Sequence, residues 1–162
     1  MPKLNNPPNM DQLARRYIAN HAKTIRRRRS TFTAQFSNCD PIERDCWLFG
    51  DWAAHHAYHH TDENGKEHFC SSWVVSYAPN GMLAGERIFS SLSEAAEYIA
   101  LLSLIPIDWN KNRHEDLQLA RDTAFWFFGD TNRSSDVPRF LRKLILAYQR
   151  CVVALEDTIE EL

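Results

Sequence analysis

Glycine is scarce: five in 162 residues, too few for a phosphate-cradling loop after a strand, and the chain has no GxxxxGK[ST], GxSxG or HExxH motif. Enzyme classes that depend on those devices are therefore not advertised. Long apolar runs are also missing. The longest, Ile99 to Ile107, is interrupted by Ser103 and Pro106 and is too short to span a bilayer, and the N-terminus MPKLNNPPNMDQLARR has no apolar core of a signal peptide. These features predict a cytoplasmic protein with no membrane contact. Cysteine is sparse and scattered, at Cys39, Cys46, Cys70 and Cys151 without CxxC spacing, which predicts reduced thiols rather than a disulfide framework.

What is present suits a folded chain. Hydrophobic residues make up 44% and charged residues 25%, and five Trp, nine Phe and five Tyr supply large core side chains. A flexible tail is expected over residues 1–8, where Pro2, Pro7 and Pro8 cluster, followed by a single α+β domain over 9–162.

The net charge of -2 conceals an asymmetry. Residues 1–29 carry eight Lys or Arg against Asp11 alone, a charge of +7, and the other 133 residues carry -9. A basic arm sits on an acidic body. After Asn9 and Gln12, which resemble a capping box, the apolar positions Met10, Leu13, Ala14, Tyr17, Ile18, Ala22 and Ile25 recur at helical spacing and predict a helix over about 10–28. Arg15, Lys23 and Arg26 then fall on its outer face, continued by Arg27, Arg28 and Arg29. This basic N-terminal helix is the candidate binding surface for an acidic protein or a nucleic acid; the competing reading has the arginines answering the helix dipole and pairing with the acidic body.

Asp40-Pro41-Ile42-Glu43 reads as an N-cap, a first-turn proline and an N3 glutamate, so a second helix is expected from Pro41 to about Phe49. A three-stranded antiparallel meander is expected over about 51–61, 67–78 and 82–89, with a two-residue turn at Asn64-Gly65 and a bulged turn at Pro79-Asn80-Gly81. In that register paired positions sum to 129. One face carries Trp52, Ala54, His56, Tyr58 and His60 with Phe69, Trp73, Val75 and Tyr77, and is the expected core face. The opposite face gathers His55, His59, His68 and Cys70, ligand types that Zn²⁺ prefers; His55 and His59 are about 13 Å apart along the strand, so only His59, His68 and Cys70 could converge on one ion. The plainer reading of that face is a histidine-rich surface in water.

Helices follow at 92–104, capped by Ser91 and Glu94 and apolar on nearly every side, and at about 113–128, closed by Gly129. A long C-terminal helix is expected from Val137 to Glu161. Its residues Leu141, Ile145, Tyr148, Val152, Leu155, Ile159 and Leu162 alternate spacings of four and three, which suits packing on its own domain or self-association into a homo-oligomer. The functional expectation is a small non-catalytic interaction module that binds protein or nucleic acid through the basic arm. A metal-dependent enzyme using the His/Cys face is the alternative from another class.

Overall fold

The computed structural model describes residues 10–35, 40–84, 87–111, 113–129 and 137–148. The expected tail, Asn9, Cys39, Cys151 and the C-terminal half of the heptad register lie outside the described residues. The fold is α+β, with a five-stranded antiparallel sheet in place of three strands: α1 (Met10–Thr24), β1 (Arg27–Ala34), β2 (Ile42–Phe49), β3 (Trp52–Thr61), β4 (Glu67–Tyr77), β5 (Met82–Leu83), α2 (Leu92–Leu104), α3 (His114–Phe128) and a further helix, α4, over 139–148. The strands follow in chain order across the sheet.

Two expected helical segments are strand. The first helix stops at Thr24, whose hydroxyl donates to the carbonyl of His21 (2.7 Å), so Arg27 to Arg29 stand on β1 rather than on a helix. The segment expected as a helix from Pro41 is β2, paired along its whole length with β1 from Ala34↔Ile42 to Arg27↔Phe49. Exposed Glu43 and Asp45 alternate with Arg44, Cys46 and Leu48, a period of two that a capping signature does not reveal. Gly50, at φ +61, and Asp51 form the two-residue turn that returns the chain into β3 opposite Phe49↔Trp52.

β3 and β4 keep the expected register from Trp52↔Tyr77 to His56↔Trp73. Beyond it two irregularities shift the pairing to Tyr58↔Phe69, His60↔His68 and Thr61↔Glu67. The turn is correspondingly longer than two residues. The Asp62 carboxylate accepts from the amides of Asn64 and Lys66 (both 2.9 Å), and the Asp62 amide donates to Lys66 (2.9 Å), closing a loop over 62–66 with Gly65 at φ +79. The expected third strand shortens to two residues plus a single bridge, Trp73↔Phe89.

The sheet curls until its ends touch. The amide of Gln35, just past β1, donates to the carbonyl of Gly81 in the β4–β5 turn (2.8 Å). Gly81 has φ +70, and a Cβ there would stand 2.0 Å from the Thr33 carbonyl oxygen, so only glycine permits this approach.

Each face of the sheet is partly buried. The larger core holds Phe49, Trp52, Ala54 and Val75 against α2, with α1, α3 and α4 packed around it; Ala14, Ile18, Ile99, Leu101, Leu102 and Leu141 are buried there. Helix α2 occupies its expected span, with the Ser91 hydroxyl accepting from the Glu94 amide (3.2 Å) and Ala95, Tyr98, Ile99, Ala100, Leu101 and Leu102 all buried. Tyr98 donates to the Ala84 carbonyl (2.6 Å), and burial pushes its phenol up to about 12. Helix α3 also holds its expected span, ending at Gly129. Described residues of the expected long C-terminal helix end at 148; Leu141 and Ile145 are buried and Tyr148 is exposed beside Tyr17.

The inner, concave face has its own cluster of Phe32, Ala34, Cys46, Leu48 and Ala53. That corrects the expectation of a face open to water opposite the aromatic one. The aromatic face is corrected as well, since His56, Tyr58 and His60 at its outer end are exposed.

Candidate functional site

Side chains alternate along β1, so Arg27 and Arg29 share one side while Arg28 takes the other. Arg29 pairs across the ladder with Trp47, and the guanidinium carbons of Arg27 and Arg29 each lie 4.9 Å from the centre of that indole. Two cations thus share one aromatic ring. Each contact is worth about 0.5–1 kcal/mol at an exposed site, enough to hold long side chains in place without neutralising them. Arg28 stands opposite Leu48 and opposes the rise of the Cys46 thiol, which burial and nearby Asp45 push above its usual range. Arg26 is exposed in the α1–β1 connection, as are Arg27, Arg28, Arg29 and, on α1, Lys23.

Among the described residues the ion pairs are Arg44–Glu67 (2.6 Å) and His68–Asp62 (2.9 Å), and neither involves the run Arg26 to Arg29. The reading in which these arginines pair with the acidic body has no described contact to support it. Arg15 leaves the basic surface altogether. It is half-buried, donates to the carbonyls of Phe127 and of Trp126 (3.1 Å), and lies over both rings, where a cation meets the carbonyl end of α3.

His59, His68 and Cys70 are not gathered around one point. The shift in register puts His60, not Thr61, opposite His68, and these two rings stack at 4.7 Å with 10° between planes. The Nδ1 atoms of His59 and His60 share a hydrogen bond, while His68 Nε2 meets the Asp62 carboxylate at 2.9 Å; that bond, with the amides of Lys66 and Asn64, holds Asp62 below the usual carboxylate range. Cys70 is a half-buried free thiol on β4. Among the described residues no three His, Cys, Asp or Glu side chains are grouped to hold a metal ion.

A different polar pair lies on the inner face. His55 Nε2 is 2.8 Å from the Ser76 hydroxyl, with Phe32 packed on the imidazole at 4.9 Å. A serine beside a histidine is the start of a nucleophile–base pair, but here Ser76 is 1% exposed and burial lowers the His55 pKa to about 4. A ring held neutral so far below neutrality is a weak base, and a hydroxyl shut from water meets no substrate. The pair is a satisfied polar contact in the core.

Between α1, the end of α3 and the segment leading into α2 lies an open cleft of about 640 Å³, lined by Arg15, Arg87, Glu94, Glu97, Phe127 and Phe128 among others. Its two cations are engaged, Arg15 as above and Arg87 over the Phe128 ring at 5.2 Å.

Sequence reasoning missed Trp47 as the partner of the arginines, because a helical assignment of 41–49 removes the pairing that brings it to Arg29. Gly50-Asp51 between two apolar runs was the signal that could have found it. No helix among the described residues is long and apolar enough to cross a membrane. Comparison of the chain with protein-family models, with curated proteins and with solved structures gives no match.

Proposed function

We propose that this chain is a non-catalytic binding module that engages an anionic partner through the arginine run of its first strand. The observation that carries this reading is the exposure of Arg26 to Arg29 at a sheet edge, with Arg27 and Arg29 over the Trp47 ring and none of the four paired with a described carboxylate. The site differs from the basic helix expected from sequence: Arg15 is committed to α3, and the cationic surface is a strand joined by Lys23. Arg27 and Arg29, each with its guanidinium carbon 4.9 Å from the indole centre, can donate N–H groups in pairs to carboxylate or phosphate oxygens.

Changing Arg26, Arg27, Arg28 and Arg29 together to Ala should weaken binding of polyglutamate and of single-stranded oligothymidylate by about tenfold or more at low salt and flatten the salt dependence. Fluorescence anisotropy over a salt series measures both. The matching lysine variant should retain most of the binding to whichever probe binds by charge alone. Equal affinity of the wild type and the alanine variant for both probes overturns the reading.

A further inference from the structure

The open side of β1 can be read from two atoms. The Gln35 amide points away from β2 to reach the Gly81 carbonyl, and the Thr33 carbonyl oxygen points the same way, since it is the atom a Cβ on Gly81 would strike at 2.0 Å. Backbone groups alternate sides along a strand, so the outward set continues through Thr31, Arg29 and Arg27, while Arg28, Ser30 and Phe32 turn their amides and carbonyls to β2. Gly81 satisfies only the far end. Among the described residues no other backbone hydrogen bond reaches β1 from that side, and β5, beyond the turn, pairs with β4 at just two positions, Ser76↔Leu83 and Tyr77↔Met82. Among the described residues the curled sheet is pinned at one point and has no backbone pairing along the seam that leads away from it.

We propose that this seam takes an extended acidic peptide segment of a partner protein, added as a strand on β1. This deepens the binding reading above and rests on it. Charge specifies the occupant: Arg26 to Arg29 are exposed along the unpaired stretch. The two sides of β1 specify its pattern. Arg27, Arg29, Thr31 and Thr33 lie on one side and are all exposed, whereas on the other Arg28 is exposed at the near end, Ser30 is half-buried, and Phe32 and Ala34 are buried. A segment that alternates acidic and apolar residues sets its carboxylates beside Arg27 and Arg29 and its apolar side chains toward the edge of the inner cluster, while its main chain supplies hydrogen bonds to the outward groups. A nucleic-acid strand would use the arginines but has no need of the amides of Arg29 and Thr31.

Binding of a peptide alternating glutamate with valine is measured against the wild-type chain, Thr31→Val and Thr31→Pro. Proline deletes one outward amide and leaves the hydrogen bonds to β2, which come from the neighbouring residues. Thr31→Val should bind within about twofold of wild type and Thr31→Pro about tenfold more weakly. Circular dichroism shows whether the proline variant folds. If it does not, two peptides N-methylated on alternate residues decide on the wild-type chain: edge pairing uses the amides of one set only, so one methylated peptide should lose binding and the other keep it. Equal binding of the two methylated peptides, or equal binding of folded Thr31→Pro and Thr31→Val, overturns strand addition. Oligothymidylate binding more tightly than the peptide and indifferent to Thr31→Pro overturns it in favour of nucleic acid, with the arginine site still standing. Only insensitivity to the arginine-to-alanine change removes the underlying reading as well.

Discussion

The two faces of the curled sheet bury their residues by different means. Against the helices, Trp52, Ala54 and Val75 meet the apolar sides of α2, and the burial is of large hydrocarbon surfaces in close contact. On the inner face the hydrocarbon is smaller, and polar groups share the space: His55 with Ser76, and Arg44 with Glu67 and the Phe69 ring. The helix-covered face is expected to answer to volume, and the inner face to pH and to backbone fit.

The largest effect should come from the helix side. Leu102 is fully buried in α2, and Leu102→Ala should cost about 3–5 kcal/mol, read as a fall in the urea midpoint with little change in slope. Leu48→Ala, its counterpart on the inner face at 8% exposure, should cost less, about 2 kcal/mol. Equal losses would erase the distinction between the faces.

Acid sharpens it. The His55 ring has a folded pKa of about 4 against an ordinary value of 6.5. The unfolded chain takes up its proton as pH falls through the upper value, and the folded chain does so only near the lower one. Stability from this group is therefore fully present above about pH 6.5, declines from there to about pH 4, and levels off below, with a total near 3 kcal/mol. His55→Gln should flatten that window in urea titrations taken at successive pH values. An unchanged slope would mean that the inner face is not dry around the ring.

Backbone fit separates two glycines that both have positive φ. Gly65 faces open space, and Gly65→Ala should cost about 1 kcal/mol of conformational strain. At Gly81 the same strain is joined by the collision with the Thr33 carbonyl, so Gly81→Ala should cost about 2 kcal/mol or more and release the contact that pins the curl, visible as faster amide exchange at Gln35. Back on the helix side, Ser91→Ala removes the hydroxyl that accepts from Glu94 and should lower stability by about 1 kcal/mol, as small a change as that at Gly65.

The same division governs what was legible in the amino-acid order. Helices α2 and α3 were readable because Ser91, Glu94 and Gly129 mark their ends where the apolar spacing also begins and stops. Around β2 two local codes competed. Ile42, Cys46 and Phe49 lie on one helical face as readily as Cys46 and Leu48 lie on one side of a strand, and Asp40-Pro41 favours the helix. The strand prevailed through eight cross-strand pairs with β1, an interaction invisible within a short window. In the β3–β4 hairpin, Asn64-Gly65 gave the register near Trp52 but not at the tip, where the Asp62 carboxylate gathers two amides into a longer turn and redirects the histidines.

Sequence by itself determined the α+β composition, the capped helices, the surplus of positive charge in the first 29 residues and the meander through β3 and β4. Those features rest on interactions a few residues apart, which the order of side chains encodes directly. Tertiary structure alone decided that Arg27 and Arg29 flank Trp47, that Arg15 is spent on α3, and that His55 meets Ser76 instead of lying in water. The physical reason is that strand pairing is made by backbone groups common to every residue: the partner of a strand, and hence the neighbours of its side chains, is set by how the whole sheet curls and closes.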